Sequence, residues 1–158
     1  RILLELLQSE GVAVFATSAA GQPYTSLVAF AATKDLHHLI LATNQSTQKF
    51  ANIQSDKRVA LLIDNRKHTK ADFKKAVGVM AIGLVEIIPP GKAARYINLY
   101  LQNHCSLNSF VHDPESVILK VQVHAYQIVQ RFEESILLEV IHRRRDGKKS
   151  LDFFQGQV

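Results

Sequence analysis

The stretch "VGVMAIGLVEII", Val77 to Ile88, limits the fold most strongly, because its twelve residues carry a single charge. A membrane-spanning helix takes about 20 apolar residues, so this run belongs inside a protein core, either as a buried helix or as a long strand. Its valines and isoleucines favour an extended backbone, and its two glycines would weaken a helix. A strand is expected, with Gly78 and Gly83 marking a bulge or a close backbone approach.

Other segments repeat the strand signal. "VAVFATS" (Val12 to Ser18) and "YTSLVAFAA" (Tyr24 to Ala32) flank the turn "AAGQP" and read as a hairpin, with Gly21 in the turn and Pro23 at a strand start. "HHLILAT" (His37 to Thr43) and "RVALLID" (Arg58 to Asp64) supply two more strands. "SVILKVQVHAYQIVQRFEE" alternates through Val117, Leu119, Val121 and Val123 and makes a sixth. Helices are expected at Ile2 to Gln8, stopped by Gly11, and after the prolines of "PPGKAARYINLYLQNH", with Ala94, Ile97 and Leu101 on one face. The pattern from Ser135 onward is ambiguous.

Six strands, early antiparallel hairpins and a few short helices predict a mainly β protein: a six-stranded antiparallel split β-barrel of Greek-key type with short flanking helices. At 158 residues one domain over residues 1–158 is expected, with 135–158 as a C-terminal extension. The run of leucines at the N-terminus is broken by glutamate, and no apolar run reaches spanning length, so neither a signal peptide nor a membrane span is expected. The single Cys105 excludes an intramolecular disulfide and fits a reducing compartment, the cytoplasm.

The net charge of +5 is concentrated in "RRRDGKK" (Arg143 to Lys149), which carries five cations and one anion. Without interleaved aromatics this reads as a solvated turn or tail, and nucleic acid binding is not expected. Seven histidines show no metal-ligand spacing with one another or with Cys105, so no metal site is expected. No G-x-S-x-G elbow, G-x-G-x-x-G loop or Walker sequence occurs.

One residue stands against its local electrostatics. In "LATNQSTQKFANIQ" Ser46 and Thr47 read as a helix cap, which places Lys49 in the first helical turn. The helix dipole is positive there, so a lysine is disfavoured unless an anion lies in front of it. Thr43, the hydroxyls of Ser46 and Thr47, the open N–H groups of the helix start and Lys49 together suit a terminal phosphate; the alternative is a solvated lysine.

The segments "FATSAAGQPYTSLVAFAA", "ATNQSTQKFANI" and "DKRVALL" resemble the FMN-binding split barrel of the pyridoxamine 5′-phosphate oxidase-like superfamily, over about residues 12 to 88. The resemblance implies a homodimer with the flavin at its interface and a phosphate held by Lys49, Thr43, Ser46 and Thr47, with Gln48 close by. It further implies that Ser26, Leu27, Val28 and Ala29 run along the flavin ring, and makes Asn65 and Arg66 weaker candidates whose alternative is turn chemistry. The oxidase's second-strand arginine and lysine are matched here by Ser26 and Ala31, and the chain has no tryptophan. The expectation is therefore an FMN-dependent oxidoreductase acting on an unidentified small molecule, with pyridoxamine phosphate oxidation doubtful and no catalytic residue assigned. Two alternatives stand beside it: a flavin or haem carrier or sensor, for which His124 or His142 could supply an axial ligand, and a cofactor-free barrel acting through its basic tail.

Overall fold

The computed structural model describes residues 1–130 and 134–140. Helix α1 (Ile2–Ser9) leads into strands β1 (Val12–Ala19), β2 (Gln22–Ala32) and β3 (His38–Asn44). Then follow α2 (Gln48–Ser55), β4 (Arg58–Asp64), the single turn α3 (Asp72–Lys75), β5 (Val77–Ile88) and α4 (Ala94–Asn103). A second single turn, α5 (Asn108–Val111), precedes β6 (Ser116–Gln130) and β7 (Glu134–Glu139). The expected six strands and main helices are present, and β7 is a strand that the sequence pattern leaves undecided. His142 and the basic segment Arg143 to Lys149 lie outside the described residues.

The strands are antiparallel in the order β3-β2-β1-β4-β5-β6-β7, and pairing of β3 with β6 closes the first six into a barrel. After the β1-β2-β3 meander, β4 returns beside β1, which is the Greek-key connection. Between β1 and β2 the paired Ala19 and Gln22 enclose Ala20 and Gly21, at φ 49° and 78°. Two successive residues with positive φ match the type I′ turn, whose twist suits a two-residue hairpin.

Val77–Ile88 forms one unbroken strand, and its two glycines have different reasons to be there. A Cβ on Gly83 would lie 2.0 Å from the Gln122 carbonyl oxygen, whereas one on Gly78 meets only Leu62 Cδ1 at 3.9 Å. The close approach thus belongs to Gly83, at a bulge: Ile82 pairs with Ala125 and Gly83 with Val123, leaving His124 as the extra residue on β6. The bulge also shifts the phase of β6. Leu119, Val121 and Val123 enter the main core before it, and Tyr126 and Ile128 after it.

The barrel interior holds Phe15, Phe30, Leu39, Leu41, Leu61 and Val79, and α1 and α2 close it with Leu3, Leu6, Leu7, Phe50 and Ile53. Outside the barrel, Ile40, Ala42, Ile88 and Ile118 are covered by Ala93, Tyr96, Tyr100 and Val111. The buried face of α4 is therefore carried by Tyr96 and Tyr100 with the preceding Ala93. The expected Ala94, Ile97 and Leu101 face lies one position off and is exposed or half-buried, because the tyrosine rings present the larger apolar area to the sheet.

Gly11 likewise serves differently from expected. Helix α1 ends at Glu10 in extended backbone, with no left-handed cap. A Cβ on Gly11 would stand 3.0 Å from His104 Cε1, so the glycine makes room for that ring. Among the described residues no helix is long and apolar enough to cross a membrane.

Candidate functional site

The barrel is split between β2 and β3. These strands pair only from Phe30↔Leu41 to Ala32↔Leu39; the rest of β2 stays with β1, while Ala42 to Asn44 of β3 pair with β6. The Phe30 N–H donates to Gly11 O (3.1 Å), which fixes the ladder parity: even-numbered residues of β2 bond to β1. Leu27 and Ala29 therefore direct their N–H and C=O groups toward the split, beyond the last β2–β3 pair.

The split opens into a cleft of about 350 Å³, within the range of small-molecule sites. It is lined by Leu27, Val28 and Ala29 of β2, by Ala42, Thr43 and Asn44 of β3, by Thr47 and Lys49 at the start of α2, and by Tyr100, Leu107 and Phe110. The apolar lining thus comes from β2 and from residues 100–110, and the polar side chains come from the turn between β3 and α2. Burial pushes the Tyr100 phenol up to about 12, so it stays neutral at physiological pH.

The polar end is built by the turn into α2. Thr47 caps the helix, its Oγ1 accepting from the Phe50 N–H at 3.4 Å. The same hydroxyl donates to Asn44 O (2.8 Å) and lies 3.1 Å from Thr43 Oγ1. Asn44 Oδ1 accepts both the N–H and the hydroxyl of Ser46, at 2.9 and 2.8 Å, an Asx turn. Lys49 lies in the first turn, which contains no acidic residue. Among the described residues no carboxylate stands within ion-pair distance of it. The conflict between the lysine and the helix dipole, about 0.3–1 kcal/mol for an exposed charge, is thus not relieved by a carboxylate among them.

Of the residues singled out from sequence, Leu27, Val28, Ala29, Thr43, Thr47 and Lys49 come together around the cleft. Ser46 sits at the same turn on Asn44. Gln48 is also at this turn, but its Nε2 donates to Asn52 Oδ1 at 2.8 Å. Ser26 pairs with the interior Phe15, and its Oγ is buried with no hydrogen-bond partner among the described residues. Asn65 and Arg66 lie elsewhere. Asn65 Oδ1 accepts from the Val77 N–H (2.8 Å), and Arg66 Nε donates to Asp64 Oδ1 (2.6 Å), which raises the guanidinium pKa. Arg66 borders a separate cleft of about 190 Å³ with Leu62, Gly78 and Val129.

The sequence reading missed Asn44, Asn52 and the wall of Tyr100, Leu107 and Phe110. An Asn two residues before a serine is a usable turn signal, but nothing in the sequence ties residues 100–110 to β2. Among the described residues no group of three His, Cys, Asp or Glu side chains could hold an ion. His104 Nε2 meets Phe30 O at 2.7 Å, and the exposed Cys105 is a free thiol. The Asp35 carboxyl is held below its ordinary range by the Thr33 hydroxyl and then by the His37 N–H, which is loop chemistry.

A family model described as pyridoxamine 5′-phosphate oxidase matches residues 3–130. No curated protein matches the chain. Among solved structures, the chain is similar to a heme binding protein from Mycobacterium smegmatis, at 15% identity and a TM-score of 0.75, over 85% of this chain and 55% of that one. It is similar to a FAD-binding protein from Mesorhizobium loti, at 16% identity and a TM-score of 0.63, over 79% and 89% of the two chains. A third likeness, at 17% identity and a TM-score of 0.69, is to a protein of the pyridoxinephosphate oxidase family from Clostridium acetobutylicum related to general stress protein 26, over 88% and 92%. The chain thus spans little more than half the length of the heme binding protein. At these identities the structures share the barrel.

Proposed function

The chain belongs to the pyridoxamine 5′-phosphate oxidase family, and from that membership we propose that it holds FMN in the β2–β3 cleft and acts as a flavin-dependent oxidoreductase on a small molecule. The observation that carries this reading is Lys49, a cation at a helix N-terminus with no carboxylate in ion-pair reach among the described residues, at the polar end of an otherwise apolar cleft. A terminal phosphate relieves that conflict, and the lysine and first-turn N–H groups of α2 hold it. The hydroxyls of Ser46 and Thr47 turn about their Cβ–O bonds from Asn44 to phosphate oxygens, with Thr43 behind Thr47.

Tested against the residues present, a flavin fits. The free backbone edge at Leu27 and Ala29 offers donors and acceptors to the polar rim of the ring, and Leu27, Leu107 and Phe110 offer apolar surface to its faces. Bound flavin supplies one- and two-electron transfer, and the protein supplies placement and polarity. A single cation in the described lining suits one monophosphate. Haem is the weaker reading, although one solved relative is a heme binding protein. No histidine is among the described residues lining the cleft, and the raised pKa of Tyr100 opposes a tyrosinate ligand.

A homodimer belongs to the same proposal. The register places Leu27, Val14, Leu62 and Met80 side by side across four strands on the outer face, and Leu27 and Leu62 are 73% and 42% exposed. An apolar row of this kind is suited to a second copy, and Leu27 also borders the cleft. Lys49→Ala tests the phosphate assignment: loss of a charge-assisted bond lowers FMN affinity by about 10- to 100-fold and leaves riboflavin, which lacks the phosphate, unaffected. Equal affinity of the variant and the parent for FMN would refute it.

A further inference from the structure

Among the described residues Thr17, Thr43 and Asn52 are polar and almost wholly buried, and all three make contacts that tie α2 to the barrel wall. Thr43 of β3 meets the cap residue Thr47 at 3.1 Å. Asn52, in the middle of α2, donates through Nδ2 to Thr17 Oγ1 of β1 at 3.0 Å, across 35 residues of sequence. Its Oδ1 accepts the Gln48 amide at 2.8 Å.

Burying an amide carries a desolvation cost that its hydrogen bonds offset only in part. An aliphatic side chain at position 52 would continue the apolar face of Phe50 and Ile53 without that cost. What the amide adds is direction. Apolar contacts tolerate sliding and rotation of a helix on its wall, while a buried hydrogen bond between fixed atoms specifies one height and one rotation. Asn52 lies one turn beyond Lys49 on the same short helix, so the rotation it fixes is also the rotation of the lysine and of the first-turn N–H groups.

Resting on the FMN reading above, we propose that Asn52 is a positioning residue for phosphate recognition. Through Thr17 it sets the pose of α2, and through Gln48 it holds the one neutral amide of the first turn, so that the N–H groups and Lys49 face the cleft. Gln48 then acts as part of this relay, and direct contact with the phosphate falls to its neighbours.

The test uses the full chain with Asn52→Leu and with the pair Thr17→Val/Asn52→Leu, which leaves no orphaned hydroxyl and keeps the comparison usable if the single variant unfolds. Flavin fluorescence gives dissociation constants for FMN and for riboflavin, and thermal unfolding confirms that the barrel is intact. FMN affinity is expected to fall about tenfold while riboflavin affinity changes less than about twofold. Lys49→Ala is expected to cost less in the Asn52→Leu background than in the parent, since the lysine is already misplaced. Equal losses for both ligands, or no loss for FMN, would overturn the positioning role. If the parent binds FMN no more tightly than riboflavin, the phosphate reading itself has failed and this inference falls with it.

Discussion

Replacing Gly83 with alanine places a methyl group where the β5–β6 bulge has no space for one. Its Cβ would meet the Gln122 oxygen at 2.0 Å, the Gln122 carbonyl carbon at 2.9 Å and Val123 Cα at 3.1 Å, all of them backbone atoms that no rotamer change can move. Relief requires the strands to separate by about 1 Å against a normal spacing of about 4.8 Å. That breaks the flanking ladder bonds, each contributing about 1 kcal/mol net, and loosens the packing of Val123 in the core. A gain of about 0.4–1 kcal/mol from the stiffer unfolded chain offsets part of the loss, leaving a net destabilisation of about 2–3 kcal/mol. Gly78→Ala is the internal control, since its Cβ meets only Leu62 Cδ1 at 3.9 Å and φ there is not positive. It is expected to be neutral or slightly stabilising. Urea unfolding followed by far-ultraviolet circular dichroism measures both. Equal stability of the two variants would refute the claim that the bulge depends on the missing Cβ.

Two further predictions concern the cleft and its outer face. The Tyr100 phenol is raised from 10.0 to about 12 by burial, and Tyr126 is raised as well. Above pH 10 the unfolded chain gives up protons that the folded chain keeps, so stability is retained below pH 10 and falls as pH rises from 10 toward 12. Denaturant midpoints measured against pH check this, and Tyr100→Phe should flatten the fall. The proposed dimer predicts that Leu62→Glu, which puts a charge in the Leu27–Val14–Leu62–Met80 row, shifts the protein to monomers in sedimentation without unfolding it; an unchanged mass would count against that face.

Much of the barrel was legible because strand signals are local. Val77–Ile88 announces itself by β-branched residues and length, and the hairpin by Gly21 between two alternating runs. What escaped the pattern was set by contacts distant in sequence. The phase change in β6 follows from the bulge opposite Gly83, and the use of Tyr96 and Tyr100 as the buried face of α4 follows from the shape of the sheet beneath. Gly11 looked like a helix stop, while its actual neighbour is the His104 ring.

The site divides in the same way. Thr47 as cap and Lys49 in the first turn follow from a few consecutive residues, and they stand where the pattern placed them. The Asn52–Thr17 bond spans two elements, and the wall of Tyr100, Leu107 and Phe110 comes from a helical segment far from β2 in sequence. Asn65 and Arg66 carry no local signal of their own beyond the resemblance, and within this chain their side chains satisfy the Val77 N–H and Asp64.

The most direct test of the central claim is a visible absorption spectrum of the full chain after incubation with FMN and removal of excess by gel filtration. The FMN reading predicts retained flavin bands in the parent and their loss in Lys49→Ala, with both proteins folded. A parent that emerges colourless, or one that takes up haem and shows a Soret band while holding no flavin, would contradict it.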